Sequence, residues 1–276
     1  MENLGICLRG VNLRFSREHD WYPDSYYQDV ANDSWEPMTV AFFERNVDSN
    51  TILLDIGAAT GVLSMFAAKL GAQVIAFEPN PVALLILENN IRLNELESSI
   101  TALPEAVSDS ESTMKFAIGS NSQILSPLVM HGIKGHENTE ISVKNLGGIV
   151  NQYSQNVTKK LIIKMDIEGA EYRILKNAEL IRNISSKVTK LYVSLHPGFN
   201  RMPKSKNKYL LFAFSILNRP LEVIEHRKIF KNFTASGELF TCEGRNVTRL
   251  RVFAGLLFFG SLDWIWVPTK TELSNF

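Results

Sequence analysis

Between Leu161 and Leu175 the chain reads LIIKMDIEGAEYRIL, an apolar run that then places Lys164, Asp166, Glu168 and Glu171 close together. Charges are costly inside a protein unless they are paired or used. A strand period of two puts Lys164, Asp166 and Glu168 on one side and Ile163, Met165 and Ile167 on the other. Gly169 then turns the chain into a helix whose inward face is Ala170, Ile174, Ala178 and Ile181. Asp166 is expected at the strand's carboxyl end, where it can touch a substrate or cofactor and take a proton. Glu168 and Glu171 fall in the helix's first turn, where negative charge is favoured, and Lys164 is expected to pair with one of them. Three carboxylates also suit a divalent cation, but close spacing in sequence does not make them converge, and no metal is expected. His196, in SLHPGF, ends a later strand and is a second candidate base near neutral pH. His131 and His136 are expected to be ordinary loop residues.

A second group surrounds the glycines of DIGAATG. Gly57 permits a tight turn and close approach of a ligand, and Gly61 opens the helix packed on the strand. The spacing is G-x-x-x-G, not the dinucleotide pattern G-x-G-x-x-G. Asp55 just before the turn would repel a pyrophosphate, but not a cationic or hydroxyl-bearing ligand. In FEPNP, Glu78 stands about twenty residues beyond the turn, where related folds place an acid on ribose hydroxyls. Pro79 can lie flat against a base, with Asn80 beside it. Glu105, in PEAVSD, can accept a hydrogen bond from an exocyclic amine. Asp55, Gly57, Ala58, Gly61, Glu78, Pro79, Asn80, Glu105 and Asp166 therefore form the expected cofactor site. They fit an adenosine that carries something other than phosphates, as S-adenosylmethionine does.

The elements that must position these residues alternate. TILLDI (51–56) reads as a strand, TGVLSMFAAKL as a helix, AQVIAFE as a strand, and PVALLILENNIRLN as a helix opened by Pro81. ITALPEAVS reads as a third strand, TMKFAIG as a short extra strand, and 119–140 as a surface loop. LIIKMDI and KLYVSLH are the fourth and fifth strands. KYLLFAFSIL is a helix, and LEVIEH and DWIWVP are late strands. Apolar strands alternating with amphipathic helices predict an α/β fold with a mostly parallel sheet covered on both faces. In such sheets ligands sit beyond the carboxyl ends of the strands. Ahead of this, residues 1–35 are polar and aromatic and are expected to be an irregular extension packed on a domain spanning 36–276. Trp21, Tyr22, Tyr26 and Tyr27 are expected to pack there rather than to stack on a ligand. Ser34 or Asp33 is expected to cap the helix that starts near Pro37.

Composition bounds the rest. The chain has 276 residues, 45% of them hydrophobic, enough for one large core. Lysine plus arginine equals aspartate plus glutamate, 29 each, which argues against broad binding to nucleic acid. The two cysteines, Cys7 and Cys242, lie far apart and read as free thiols of a reducing compartment, so the expected location is cytoplasmic. The start lacks a signal-peptide pattern. VFAGLLFFGSLDWIWV (252–267) is short for a membrane span, carries Asp263 and is expected to be a core helix followed by a strand.

LLDIGAATG, AFEPNP, EAVSD and IIKMDIEGAEYRIL, in this order, resemble the FkbM family of S-adenosylmethionine-dependent methyltransferases. The resemblance runs from about Trp35 to Pro268, and WEP at Trp35–Pro37 is similar to the helix that leads into that domain. It implies a seven-stranded class I methyltransferase (Rossmann-like) fold with the last strand inserted antiparallel. It further implies O-methylation of a sugar, glycan or natural-product hydroxyl. One departure stands out. Where such proteins often carry Leu-Asp-Asp before the fourth strand, this chain reads NLGGIV, and Gly147 and Gly148 remove the acids. Local capping or a substrate contact there is open to question, and a methyltransferase fold without catalysis is the first rival reading. N-methylation is a second. A nicotinamide dehydrogenase is disfavoured by the glycine spacing, Asp55 and KMDIEGAE.

Overall fold

The computed structural model describes residues 3–17, 22–118, 137–155, 158–167, 169–196, 224–241, 245 and 262–269. β3 (Thr51–Ile56) spans the run TILLDI, and β4 (Gln73–Phe77) and β9 (Lys160–Met165) begin within one residue of AQVIAFE and LIIKMDI. Every residue of β3 is buried, as a strand covered on both faces requires. With β5 (Ile100–Leu103), β10 (Lys190–Leu195), β11 (Gly237–Thr241) and β12 (Leu262–Pro268), these form a seven-stranded sheet in the order β11-β12-β10-β9-β3-β4-β5. Strands β10, β9, β3, β4 and β5 pair in parallel, while β12 runs antiparallel between β10 and β11. This is the class I methyltransferase arrangement, with the antiparallel strand in the expected place.

Helices cover both faces. On one side lie α5 (Leu146–Tyr153), α6 (Glu171–Leu175), α7 (Ala178–Ser185) and a helix over 224–234, packed on Ile163, Met165, Val193 and Trp266. On the other lie α2 (Pro37–Asn46), α3 (Val62–Lys69) and α4 (Pro81–Leu93), packed on Leu53, Val74, Ile162 and Tyr192. Helix α3 is apolar nearly all round and buried nearly throughout, because a further layer covers it.

That layer is the N-terminal segment, and it corrects an expectation. Residues read as irregular form a hairpin, β1 (Leu4–Leu8) and β2 (Val11–Phe15), followed by α1 (Asp24–Ala31). Alternation explains it: Ile6, Leu8, Leu13 and Phe15 are buried while their neighbours face out. The hairpin is stitched to α4 through Asn94, which accepts from the Arg14 amide and donates to its carbonyl, and Asn90, which accepts from Ser16. These bonds cover an edge that would otherwise be open to pairing.

Other expectations need correction. ITALPEAVS is two strands, because Pro104 has no amide hydrogen to continue the ladder. Past it, β6 (Glu105–Ser108) joins β7 (Ser112–Ile118) and β8 (Glu137–Asn145) in a separate sheet. Positions 137–140, read as loop, are therefore strand. The helix expected over 169–181 breaks into α6 and α7, where Asn177 accepts from the Leu180 amide and caps a new start. The break leaves Ala178 exposed. The second half of LEVIEH is helix, with His226, Ile229 and Phe233 buried at helical spacing. Neither Ser34 nor Asp33 caps α2; its N-cap is Glu36, and Asp33 pairs with Arg9 instead. The expected helices at KYLLFAFSIL and 252–261, with Trp21, His131, His136, Glu168 and Cys242, lie outside the described residues.

Candidate active site

The turn after β3 is pinned from below and from the side. Gly57 has φ +82°, and a Cβ there would overlap the carbonyl oxygen of Asp166. Gly61 has φ +89°, and a Cβ there would strike Leu87. The amides of Gly57 and Ala58 both donate to the Phe77 carbonyl, at 3.0 and 3.1 Å, which locks the turn to the end of β4. Beneath it, Asp55 is fully buried. One Asp55 oxygen accepts from Ser64 Oγ at 2.5 Å, and the other faces Lys164 Nζ at 3.3 Å. Lys164 Nζ also donates to the Gly57 carbonyl at 2.8 Å.

Two expectations change here. Lys164 pairs with Asp55, not with Glu171, because the parallel register sets residues 55 and 164 side by side. Asp55 is turned into the fold and holds the turn rather than reaching a ligand. Burial would lower the lysine's proton affinity, but Asp55, then Asp166 and Glu36, raise it above the usual value. The ammonium is fixed.

Glu78 joins the two turns. Its Oε2 accepts from the Ala59 amide and its Oε1 from the Asn80 amide, both at 2.8 Å. A carboxylate has about four acceptor sites, so capacity remains for ribose hydroxyls. Burial pushes Glu78 up to about 7, against the pull of those two amides. The Asn80 side-chain oxygen accepts from Val82 and Ala83 and caps α4, so it serves the helix. Pro79 is partly exposed beside it. Glu105 opens β6, two residues past Leu103, whose carbonyl accepts from the Glu78 amide, and it faces Lys144 at 3.6 Å.

The second group lies past β9 and β10. Asp166 and His196, one residue beyond each strand's end, approach to 3.6 Å between Oδ1 and Nδ1. His196 Nδ1 is also 3.5 Å from Glu171 Oε1. Glu171 is fully buried, and its oxygens accept from the amides of Ile167 (2.8 Å) and Gly169 (2.6 Å), clamping the loop that carries Asp166. Ligand atoms of Asp166, Glu171 and His196 lie within 4.8 Å of one another, a spacing that suits a cation as well as an acid–base cluster. Burial raises Asp166 from its ordinary value, opposed by Lys164 and His196. The expected pair of Asp166 and His196 is thus brought together.

Two further acids belong to this end and were not among the expected site residues. Glu36, at the start of α2, adopts φ 42°, a left-handed conformation rare outside glycine. Burial, then the charge of Asp166, pushes its carboxyl up to about 7. Asp263, on β12, pairs in register with Ser194 and accepts from its hydroxyl at 2.7 Å. Burial raises it too, partly offset by Ser194. The sequence signal for Glu36 was an acid just before Pro37 at the head of an apolar helix. Asp263 was visible as a charge in an apolar run. The aromatic residues pack together, with Tyr22 stacked on Tyr26 at 3.9 Å and Trp35 edge-on to Tyr26 at 5.5 Å. At Gly147–Gly148 the helix keeps its cap, since Asn145 accepts from the Gly148 amide at 3.0 Å.

Comparison with known proteins gives the family. The family described as "Methyltransferase FkbM domain" matches residues 55–219. The chain is similar to methyltransferase sdnD of Sordaria araneosa, 26% identical over 172 residues, 50% of this chain and 66% of that protein. A ribosomal protein L11 methyltransferase of Herpetosiphon aurantiacus is 40% identical over 62 residues, 22% of this chain and 19% of that protein. The chain thus spans less than two thirds of these relatives' length. Among solved structures, an S-adenosylmethionine-dependent methyltransferase of Agrobacterium tumefaciens aligns with TM-score 0.44 at 11% identity, over 98% of this chain and 71% of that one.

Proposed function

The chain belongs to the FkbM methyltransferase family, and from that premise we propose that it transfers a methyl group from S-adenosylmethionine to a hydroxyl of a sugar, glycan or natural product. The observation that carries the reading is the meeting of Asp166 and His196 beside the Gly57 turn. In this reading Glu78 accepts from the ribose hydroxyls, Gly57, Ala58 and Gly61 let the ligand approach the backbone, and Pro79 and Glu105 flank the base. Asp55 and Lys164 hold the turn from below. Bound S-adenosylmethionine supplies an electrophilic methyl on a sulfonium whose leaving group is a neutral thioether.

The chain's own residues then have two tasks. One is alignment of the acceptor oxygen with the methyl, which supplies much of the acceleration. The other is proton removal. Asp166 takes the hydroxyl proton and becomes neutral, and His196 at 3.6 Å can receive that proton in turn. Burial raises the Asp166 carboxyl, which makes it a stronger base than an exposed aspartate. Glu171 is engaged with two amides, so we assign it to the loop rather than to a metal.

A cytoplasmic setting and a lack of nucleic-acid binding belong to the same proposal. They are supported by the exposed free thiol of Cys7 and the balanced charge. Among the described residues, no helix is long and apolar enough to cross a membrane. Glu36, Asp166 and Asp263 together favour one second reading, an amine acceptor. The test is transfer of isotope-labelled methyl from S-adenosylmethionine to a panel of polyhydroxylated compounds and matched amines. Label in a methyl ether supports the proposal, and label on nitrogen moves it to the second reading. Cofactor binding without any transfer argues for a protein that has lost catalysis.

A further inference from the structure

Helix α2 lies antiparallel along β9 and β10. Lys160 and Lys190, which open those strands, donate to the backbone and side-chain oxygens of Asn46 at the helix's end. Two turns earlier, Thr39 Oγ1 lies 2.8 Å from the hydroxyl of Tyr192, the third residue of β10. Glu36 comes three residues before Thr39, about 4.5 Å further toward the strands' carboxyl ends. In the sheet, Tyr192 stands beside Lys164, and Lys164 beside Asp55. Two residues on and on the same face come Asp166 and Ser194, with Asp263 beside Ser194. The head of α2 therefore carries Glu36 over the row that holds Asp166 and Asp263.

The backbone of Glu36 is held there in a conformation that residues with a Cβ rarely adopt, φ 42°. Both flanks are tied to the N-terminal layer. The Asp29 carbonyl, in the last turn of α1, accepts from the amides of Ser34 and Trp35 at 2.9 and 3.1 Å. The Pro37 carbonyl accepts from the Arg9 guanidinium at 3.2 Å, and Arg9 also reaches Asp33 and Glu44. The arrangement does not serve the helix, because the Glu36 side chain accepts from none of its first amides.

S-adenosylmethionine carries two cationic groups, a sulfonium and an α-ammonium. In the reading above, its ribose meets Glu78 after β4 and its base meets Glu105 past β5. The sheet order β10-β9-β3-β4-β5 then sends the amino-acid end the other way, across the Gly57 turn toward β9 and β10. Among the described residues, the acids at that end are Asp166, Asp263, Glu36 and Glu171. Glu171 is engaged with two amides. Asp166 is needed for the acceptor's proton. Asp263 holds the Ser194 hydroxyl from β12, a strand further from the turn. We propose that Glu36 binds the α-ammonium of S-adenosylmethionine, with the N-terminal layer fixing its position. The proposal rests on the reading that places the adenosine at Glu78 and the Gly57 turn.

The chemistry of the pair is favourable. Burial, then Asp166, disfavours the charged form of Glu36. An ammonium brought to the carboxyl opposes both effects, and the resulting hydrogen bond is charge-assisted. Lys164 does not fill this role, since its Nζ faces Asp55 and donates to the Gly57 carbonyl. The negative charge that would draw an amine acceptor is then met by the cofactor itself.

Calorimetric titration of the full chain with two ligands tests this. One is S-adenosylhomocysteine. The other is its deaminated analogue, 4-(5′-deoxyadenosin-5′-ylthio)butanoic acid, which keeps the nucleoside, thioether and carboxylate and lacks only the ammonium. The wild type should prefer S-adenosylhomocysteine roughly tenfold or more. Glu36→Gln should weaken S-adenosylhomocysteine by about that factor and leave the analogue within about twofold, which removes the preference. Binding of the analogue reports that the variant is folded. Should Glu36→Gln fold poorly, Glu36→Asp draws the carboxylate back by one methylene and should shrink the same preference. A preference unchanged in the variant, or both ligands weakened equally, overturns the assignment. A wild type that binds neither ligand contradicts the adenosine reading itself and takes the assignment with it.

Discussion

The Gly57 turn and the Asp166 cluster sit at the ends of neighbouring strands, yet they are held in different ways. The turn is fixed largely by backbone. Its amides bond to Phe77, Glu78 receives amides from both loops, and apart from Lys164 on the Gly57 carbonyl these partners come from residues 55–80. The cluster gathers side chains from Glu36, Asp166, Glu171, His196 and Asp263, on five separate segments. Backbone bonds give a rigid cradle suited to an unchanging cofactor. Long-range charges give a site whose protonation can vary, which suits acid–base work and a variable acceptor. Lys164 touches both, pairing with Asp55 while Asp166 and Glu36 act on it.

That comparison can be broken at Lys164 first. Lys164→Met leaves Asp55 buried without its cation, at a cost of about 4 kcal/mol, and should damage both ends. Denaturant unfolding reads the stability and calorimetry reads cofactor binding. Gly57→Ala should cost about 3 kcal/mol, from positive φ plus collision with the Asp166 carbonyl. It should abolish cofactor binding even in the folded fraction. Glu171→Gln should cost about 2 kcal/mol, because a carboxamide presents one acceptor oxygen where two amides need one each. It should spare cofactor affinity and lower methyl transfer, the opposite pattern to Gly57→Ala. Asn80→Ala removes only the α4 cap and should cost about 1 kcal/mol, read as a small fall in unfolding midpoint. If Gly57→Ala and Glu171→Gln gave the same profile, the two ends would not be separable.

The same contrast explains what could be read from the sequence. The cradle is local, so TILLDI, its glycines and Glu78 were legible from spacing, and β3 begins and ends where the apolar run does. The pair of Asp166 and His196 was legible because each follows a strand directly. What failed was non-local or depended on one special residue. The Asp55–Lys164 pair follows from strand order, which hydrophobic pattern does not specify. Pro104 and Asn177 each split an element that periodicity alone would continue. GELFT was too short to stand out as β11, and the alternation in the N-terminal hairpin was masked by its polar neighbours. Glu36 reaches the site only because α2 packs over β10, where Thr39 and Phe42 meet Tyr192.

The central claim is that Glu78 and the Gly57 turn bind the adenosine of S-adenosylmethionine. Glu78 sits at about 7, above its ordinary value of 4.5. The folded protein therefore holds more protons than the unfolded chain between those values, and its stability without ligand falls as pH rises through that window. Ribose hydroxyls donate to the ionised carboxylate, so cofactor affinity should move the other way. The most direct measurement is calorimetric titration with S-adenosylmethionine from pH 6 to 8, for the wild type and Glu78→Gln, with NAD as control. The account predicts micromolar binding of S-adenosylmethionine alone, strengthening roughly fivefold to tenfold with pH, and weaker binding with a flatter pH dependence in the variant. Binding of NAD, or an affinity and pH dependence unchanged by Glu78→Gln, would contradict it.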